Sequence, residues 1–265
     1  MTTPTHDSWF ARPRPVTNPR LRLFCFPHAG AGASVFNPWV NDAFPAEVEL
    51  VAIRLPGRES RFTEEPFDDL SALLAALEPA IIPMLDVPFA LFGHCSGSIL
   101  AFELVRQLRA ADHPLPVALF VSSCEAPQVR QASTNIHQLP PDELIREVAG
   151  FGGVAPDVLT DSELMALLEP PLRADFRLVE RAGYDELAPL DVPISVVGGL
   201  DDEFIGFGAL AAWRAQTTSR FGVHMLDSGH FVLAPSARLL VALVNTLLSE
   251  LPAPTRPAVR HRHSG

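Results

Sequence analysis

Four apolar residues, Phe89 to Phe92, run without interruption into Gly93-His94-Cys95-Ser96-Gly97, and a helical pattern begins at once. Beyond the turn, Ala101, Leu104, Val105 and Leu108 fall at i, i+3, i+4 and i+7, the spacing of one apolar helix face. A strand that turns into a helix through two closely spaced glycines needs a cramped backbone. Glycine tolerates it, and the central side chain is then aimed out of the sheet. This feature asks for an α/β layer arrangement.

The remaining chain agrees with that demand. Short β-rich runs occur at Leu21 to Phe26, Val48 to Arg54, Val117 to Ser122, Ile194 to Val197 and Gly222 to Leu226, with helical patterns between most of them. Apolar strands alternating with helices predict a mostly parallel sheet covered on both faces. From Asn135 to about Tyr184 the alternation stops, and helical patterns are split by Pro140, Pro141, Gly152, Gly153, Pro156, Pro170 and Pro171. This stretch is predicted to be an inserted helical lid. With 265 residues and 48% hydrophobic content, the chain suits one domain with a substantial core. Residues 1–19, rich in Pro, Thr and Arg, and residues 252–265 are predicted to be loose. The domain is therefore expected to span residues 20–251.

The glycine turn has the form G-x-Nuc-x-G with Cys95 at its centre. Ser96 cannot take that place in the same frame, since positions 94 and 98 are His and Ser rather than glycine. A free cysteine is often just a small buried hydrophobe, but here the N-terminus of the following helix favours a negative, nucleophilic sulfur. In a fold of this kind an acid and then a histidine follow the nucleophile in chain order. After the run Ile194 to Val197 comes Gly198-Gly199-Leu200-Asp201-Asp202, and after Gly222 to Leu226 comes Asp227-Ser228-Gly229-His230. Both loops lie at strand C-terminal ends, where open α/β sheets place their ligands. Asp201 and His230 are thus the expected acid and base. Asp202 can exchange roles with Asp201, and acidic residues there also cap helices. Acyl transfer further needs backbone N–H donors for a developing oxyanion, and Ala29, in Pro27-His28-Ala29-Gly30-Ala31-Gly32, and Ser96 are the expected ones. A phosphate-binding loop is the competing reading of that segment. It lacks the Gly-Lys-Ser/Thr ending and any G-x-G-x-x-G.

Other classes are disfavoured. Three cysteines, Cys25, Cys95 and Cys124, are too few and scattered for a disulfide framework or metal spacing. A formal charge of −11 opposes contact with nucleic acid or an anionic membrane. The basic run Arg256, Arg260, His261, Arg262 and His263 sits among prolines and reads as a solvated tail. No apolar run approaches a membrane span, and the first residues lack signal-peptide order. The expected location is the cytoplasm.

Together these residues resemble the type II, stand-alone thioesterases of polyketide and non-ribosomal peptide biosynthesis. The resemblance runs from about Arg20 to Leu251. It rests on Cys25-Phe26-Pro27-His28-Ala29-Gly30, Pro38-Trp39, Leu55-Pro56-Gly57-Arg58-Glu59, the glycine turn, Leu172-Arg173-Ala174-Asp175-Phe176, Gly198-Gly199-Leu200-Asp201-Asp202 and Gly229-His230-Phe231. It implies an α/β-hydrolase fold with a helical lid, no metal or organic cofactor, and acyl or peptidyl carrier proteins as partners. The substrate would be an acyl thioester on the carrier's phosphopantetheine arm. This chain departs from the family's usual Gly-His-Ser-Met-Gly in having Cys95-Ser96. A serine turns a thioester into an oxyester, whereas a cysteine makes another thioester, in a nearly thermoneutral step. Hydrolysis through an acyl-Cys intermediate is the leading expectation. Its rivals are acyl or aminoacyl transfer between carriers and a non-catalytic carrier-binding protein.

Overall fold

Alternate side chains of each central strand feed two separate cores. The computed structural model describes residues 6–130, 135–152 and 161–252. In β2 (Leu21–Phe26), Phe24 and Phe26 point to one face while Leu21, Leu23 and Cys25 point to the other. In β4 (Phe89–His94), Phe89 and Leu91 take the first face, Ala90 and Phe92 the second. Such two-sided burial makes the strands apolar throughout rather than alternating, as a covered parallel sheet requires.

With β1 (Phe10–Ala11), β3 (Val48–Ile53), β5 (Ala118–Ser122), β6 (Ile194–Gly199) and β7 (Phe221–Leu226), the sheet has the order β1-β3-β2-β4-β5-β6-β7. All neighbours are parallel except β1, which runs antiparallel to β3 through Phe10↔Ile53 and Ala11↔Ala52. The expectation of a loose segment over residues 1–19 therefore fails at Trp9 to Ala11. Trp9 and Phe10 are buried in the first core, and the Trp9 carbonyl accepts the Arg54 N–H at 2.8 Å. The tail expected from Pro252 onward lies, beyond Pro252 itself, outside the described residues.

One face carries α1 (Leu70–Ile81) and α2 (Ser96–Ala110); the other carries a long C-terminal helix, Leu233–Glu250, whose Leu240, Val244, Leu247 and Leu248 close the second core. Over the C-terminal edge of the sheet lie two further helices, α3 (Pro141–Phe151) and α4 (Ser162–Arg181). They occupy the stretch expected to be a lid, whose residues 153–160 are outside the described part. Pro170 and Pro171 do not split α4 as anticipated. Each lacks an N–H and loosens one turn, but burial of Met165, Leu172, Asp175 and Leu178 keeps the helix continuous. No helix among the described residues is long and apolar enough to cross a membrane.

The turn between β4 and α2 is where backbone meets backbone. A Cβ on Gly93 would sit 2.4 Å from the Gly97 carbonyl oxygen and the Ser98 Cα, and one on Gly97 would sit 2.3 Å from the Phe26 carbonyl oxygen. Neither neighbour can move without displacing β2 or α2. Gly97→Ala is therefore expected to lower stability by about 1–3 kcal/mol, read as a reduced urea midpoint and Tm. Gly150→Ala, on a helix with nothing within 4 Å of the added carbon, should be neutral or stabilising in the same assay. Equal effects of the two substitutions would show that the turn is not close-packed.

Candidate active site

Cys95 stands at the N-terminus of α2 with φ +50° and ψ −120°. For a side chain other than glycine this backbone is strained, and a web of bonds holds it. Cys95 N–H donates to the Ser122 carbonyl at 2.8 Å, and the Ser98 N–H donates to the Cys95 carbonyl at 2.9 Å. The Ser98 hydroxyl lies 2.8 Å from the Gly93 carbonyl and 3.2 Å from that of Ser122.

His230 follows β7 and is brought to the same edge. Its Nδ1 lies 2.9 Å from Oδ2 of Asp202, whose side chain is fully buried. The expected partner, Asp201, is exposed instead. The reason is the turn that follows β6. Leu200 N–H and Asp201 N–H bond to the carbonyls of Leu226 and Ser228, which ties the turn to the chain after β7 with Asp201 on its exposed side. The next residue, Asp202, is the one whose side chain reaches His230. Its second oxygen, Oδ1, accepts the N–H groups of Phe204 and Ile205 at 2.9 and 3.0 Å.

These contacts decide the protonation states. Burial raises the Asp202 pKa, but the bonds from His230, Phe204 and Ile205 outweigh it, and the net shift is downward. Asp202 is thus an acceptor, and Nδ1 of His230 donates to it. Burial lowers the His230 pKa, yet the hydrogen bonds to Asp202 and to Cys95 more than reverse this and bring it to about 9. His230 therefore carries its proton at neutral pH. This contribution to folding is complete below the ordinary histidine value of 6.5 and is lost as pH rises through about 9.

Two further histidines flank the centre. His94 is completely buried with Nδ1 at 3.1 Å from the Ser122 hydroxyl, and its ring lies 5.4 Å from that of His28. Burial, reinforced by neighbouring histidines, lowers both pKa values, that of His28 to about 4. They stay neutral, so the charge in the cluster rests on His230. Among the described residues, no group of three or more His, Cys, Asp and Glu is placed to hold a metal ion.

Residues 21–250 match the thioesterase domain family. The chain belongs to that family. The thioesterase is similar to the gramicidin S biosynthesis protein GrsT of Aneurinibacillus migulanus, with 39% identity over 230 residues, covering 87% of this chain and 90% of the relative. It is similar to the thioesterase PikA5 of Streptomyces venezuelae, with 31% identity covering 85% of this chain and 80% of the relative. Among solved structures it resembles the type II thioesterase BorB from the borrelidin biosynthetic cluster, at a TM-score of 0.83 and 32% identity over 91% of this chain and 98% of that one. The α/β thioesterase-type hydrolase fold and the assignment as a thioesterase follow.

The thioesterase gathers Cys95, Ala29 and His230 around one cavity of about 320 Å³. Cys95, His28, Ala29 and His230 are among the residues on its sheet side; Val148, Phe151, Met165, Leu168, Leu172 and Phe176 of α3 and α4 line its lid side. Ser96 is the first residue of α2, so its N–H has no acceptor within the helix. Arg58, Glu59 and Asp175 were legible only as parts of family motifs. In the thioesterase they grip the loop that carries Ala29: Asp175 accepts the Gly30 N–H at 2.7 Å, and Glu59 accepts those of Ala33 and Ser34 at 3.2 and 2.9 Å. No spacing in the sequence connects them.

The carboxylate assignment is open to direct measurement. Asp202→Asn removes the main bond that raises His230, and its imidazole NMR titration should move down from about 9 toward neutrality. Asp201→Asn should leave that titration in place. A large shift from Asp201→Asn alone would restore the original expectation.

Proposed function

We propose that the protein hydrolyses acyl groups from phosphopantetheine thioesters on carrier proteins of a polyketide or non-ribosomal peptide pathway, through an acyl-Cys95 intermediate. One observation carries this reading. Cys95 and a protonated His230, oriented by Asp202, face the same apolar cavity. It is supported by the likeness to GrsT, named for gramicidin S biosynthesis, to the thioesterase PikA5, and to BorB, a type II thioesterase from the borrelidin biosynthetic cluster.

The residues divide the work as follows. The Cys95 sulfur attacks the thioester carbonyl, and the N–H groups of Ala29 and Ser96 receive the oxyanion. As the carbon–sulfur bond to pantetheine breaks, His230 gives its proton to the leaving thiolate. The imidazole, now neutral, takes a proton from water as water attacks acyl-Cys95; the carbon–sulfur bond to Cys95 then breaks, releasing the free acid and leaving the Cys95 thiolate beside a protonated His230. Asp202 keeps the ring in one orientation throughout. These steps call for no metal or organic cofactor.

Reactivity separates Cys95 from the other thiols. Burial pushes the Cys25 and Cys124 thiols far above their usual range, whereas Cys95 is partly open to the cavity. Iodoacetamide should inactivate the protein by modifying Cys95 first, as peptide mapping would show. Inactivation that tracks Cys25 or Cys124 with Cys95 intact contradicts the assignment.

Sulfur at the nucleophile favours a second reading, transfer of the acyl group to another carrier thiol. Thioesters meet thiols far faster than they meet water, so the acyl-enzyme should be visible by intact-mass spectrometry after mixing with an acyl pantetheine thioester. Decay to free acid at the rate of turnover, unaffected by added pantetheine or empty carrier, supports hydrolysis. Discharge mainly to the added thiol supports transfer, and Cys95→Ser should then shift product toward free acid. Failure to form any adduct rules out both.

A further inference from the structure

Arg58 and Asp175 form an ion pair in which both side chains are 5% exposed. The geometry is bidentate, with Arg58 Nη1 at 2.5 Å from Oδ2 and Nη2 at 2.8 Å from Oδ1. Arg58 comes from the loop after β3, whereas Asp175 is on α4, the lid helix. Replacing a buried pair by apolar residues is often neutral or stabilising, so its presence is a weak argument about stability. Its remaining contacts say more. Oδ2 of Asp175 also accepts the Gly30 N–H, and Arg58 Nη1 donates to the Ala31 carbonyl at 3.1 Å.

The loop that carries Ala29 is thus held at two ends by different layers. At its far end Glu59, from the short 3-10 helix after β3, accepts Ala33 and Ser34 N–H groups. At its near end the only carboxylate on Gly30 N–H among the described residues belongs to the lid. Gly30 has φ +77°, and a Cβ there would lie 2.8 Å from Leu172 Cδ1, again on the lid helix. Ala29 itself packs against the cluster of Ile136, Leu144, Val148 and Leu172.

We propose that the Arg58–Asp175 pair is a latch that fixes the Ala29–Gly30 peptide, and through it the adjoining His28–Ala29 peptide whose N–H is the donor, only while α4 is seated, so that closure of the lid completes the oxyanion site. Arg58 and Asp175 are positioning residues in this scheme, since neither reaches the sulfur or the acyl carbon. The inference rests on the catalytic reading above, in which Cys95 attacks and Ala29 donates. It makes the acyl group's fit under the lid a condition for attack, because a lid held off the site withdraws the carboxylate from Gly30.

Two reactions of the same sulfur test this. Acylation by an acyl pantetheine thioester passes through an oxyanion, while alkylation by iodoacetamide displaces iodide at a saturated carbon and forms none. Asp175→Asn should slow Cys95 acylation about 10²–10³-fold, the size of losing one oxyanion donor, and lower kcat rather than raise KM. Its alkylation rate should stay that of the wild type. Gly30→Ala, which keeps the ion pair but forces the loop off Leu172, should give the same split and serves if Asp175→Asn does not fold. Acylation at the wild-type rate in either folded variant overturns the latch, as does an equal loss of both reactions, which marks general collapse of the site. A wild-type protein whose Cys95 takes iodoacetamide but no acyl group overturns the catalytic reading as well.

Discussion

A single dihedral pair, φ +50° and ψ −120° at Cys95, decides where every other functional group must stand. Backbone of this kind costs about 1–3 kcal/mol, and it persists because its surroundings leave no alternative. Carbonyl oxygens of Phe26 and Gly97 occupy the volumes that side chains at 97 and 93 would need. Ser122 and Ser98 fasten the turn from β5 and α2. The strain is thus offset by the two cores, and the sulfur is delivered to the sheet edge on rigid elements rather than on a loop.

Sulfur at that position suits the electrostatics around it. A hydroxyl nucleophile needs a neutral imidazole to take its proton during attack. His230, with its pKa near 9, is instead protonated at neutral pH, the state that the mechanism proposed above uses to protonate the departing pantetheine sulfur. His28 and His94 remain uncharged beside it, so the local field is not diluted by other imidazolium groups. Asp202 completes the set by accepting three hydrogen bonds with no solvent on its side chain.

Much of this was readable from residue order because it rests on local rules. Apolar strands, the glycine turn and the loops after Ile194 to Val197 and Gly222 to Leu226 placed Cys95 and His230 at one edge. The exchange of Asp201 for Asp202 depends on how the chain turns after Gly199, which two hydrogen bonds to the facing chain fix and no propensity encodes. Trp9 and Phe10 escaped notice for a related reason. A two-residue antiparallel strand has too short a period to register among prolines and arginines, and its partner lies more than forty positions away. Arg58 and Asp175, separated by 117 positions, meet only because the lid folds back over the sheet.

The order of the chain adds a temporal side to the arrangement. Cys95 and its turn belong to β4 and α2, which can pack on β2 and β3 as soon as those segments exist. Asp202 and His230, which are hydrogen-bonded to each other, come after the whole lid. Since synthesis proceeds from the N-terminus and early segments fold first, a nascent chain holds its sulfur at the edge of a half-built sheet well before it has an imidazole to work with. The chemistry proposed above therefore waits until β7 docks on the far side and carries His230 to the edge.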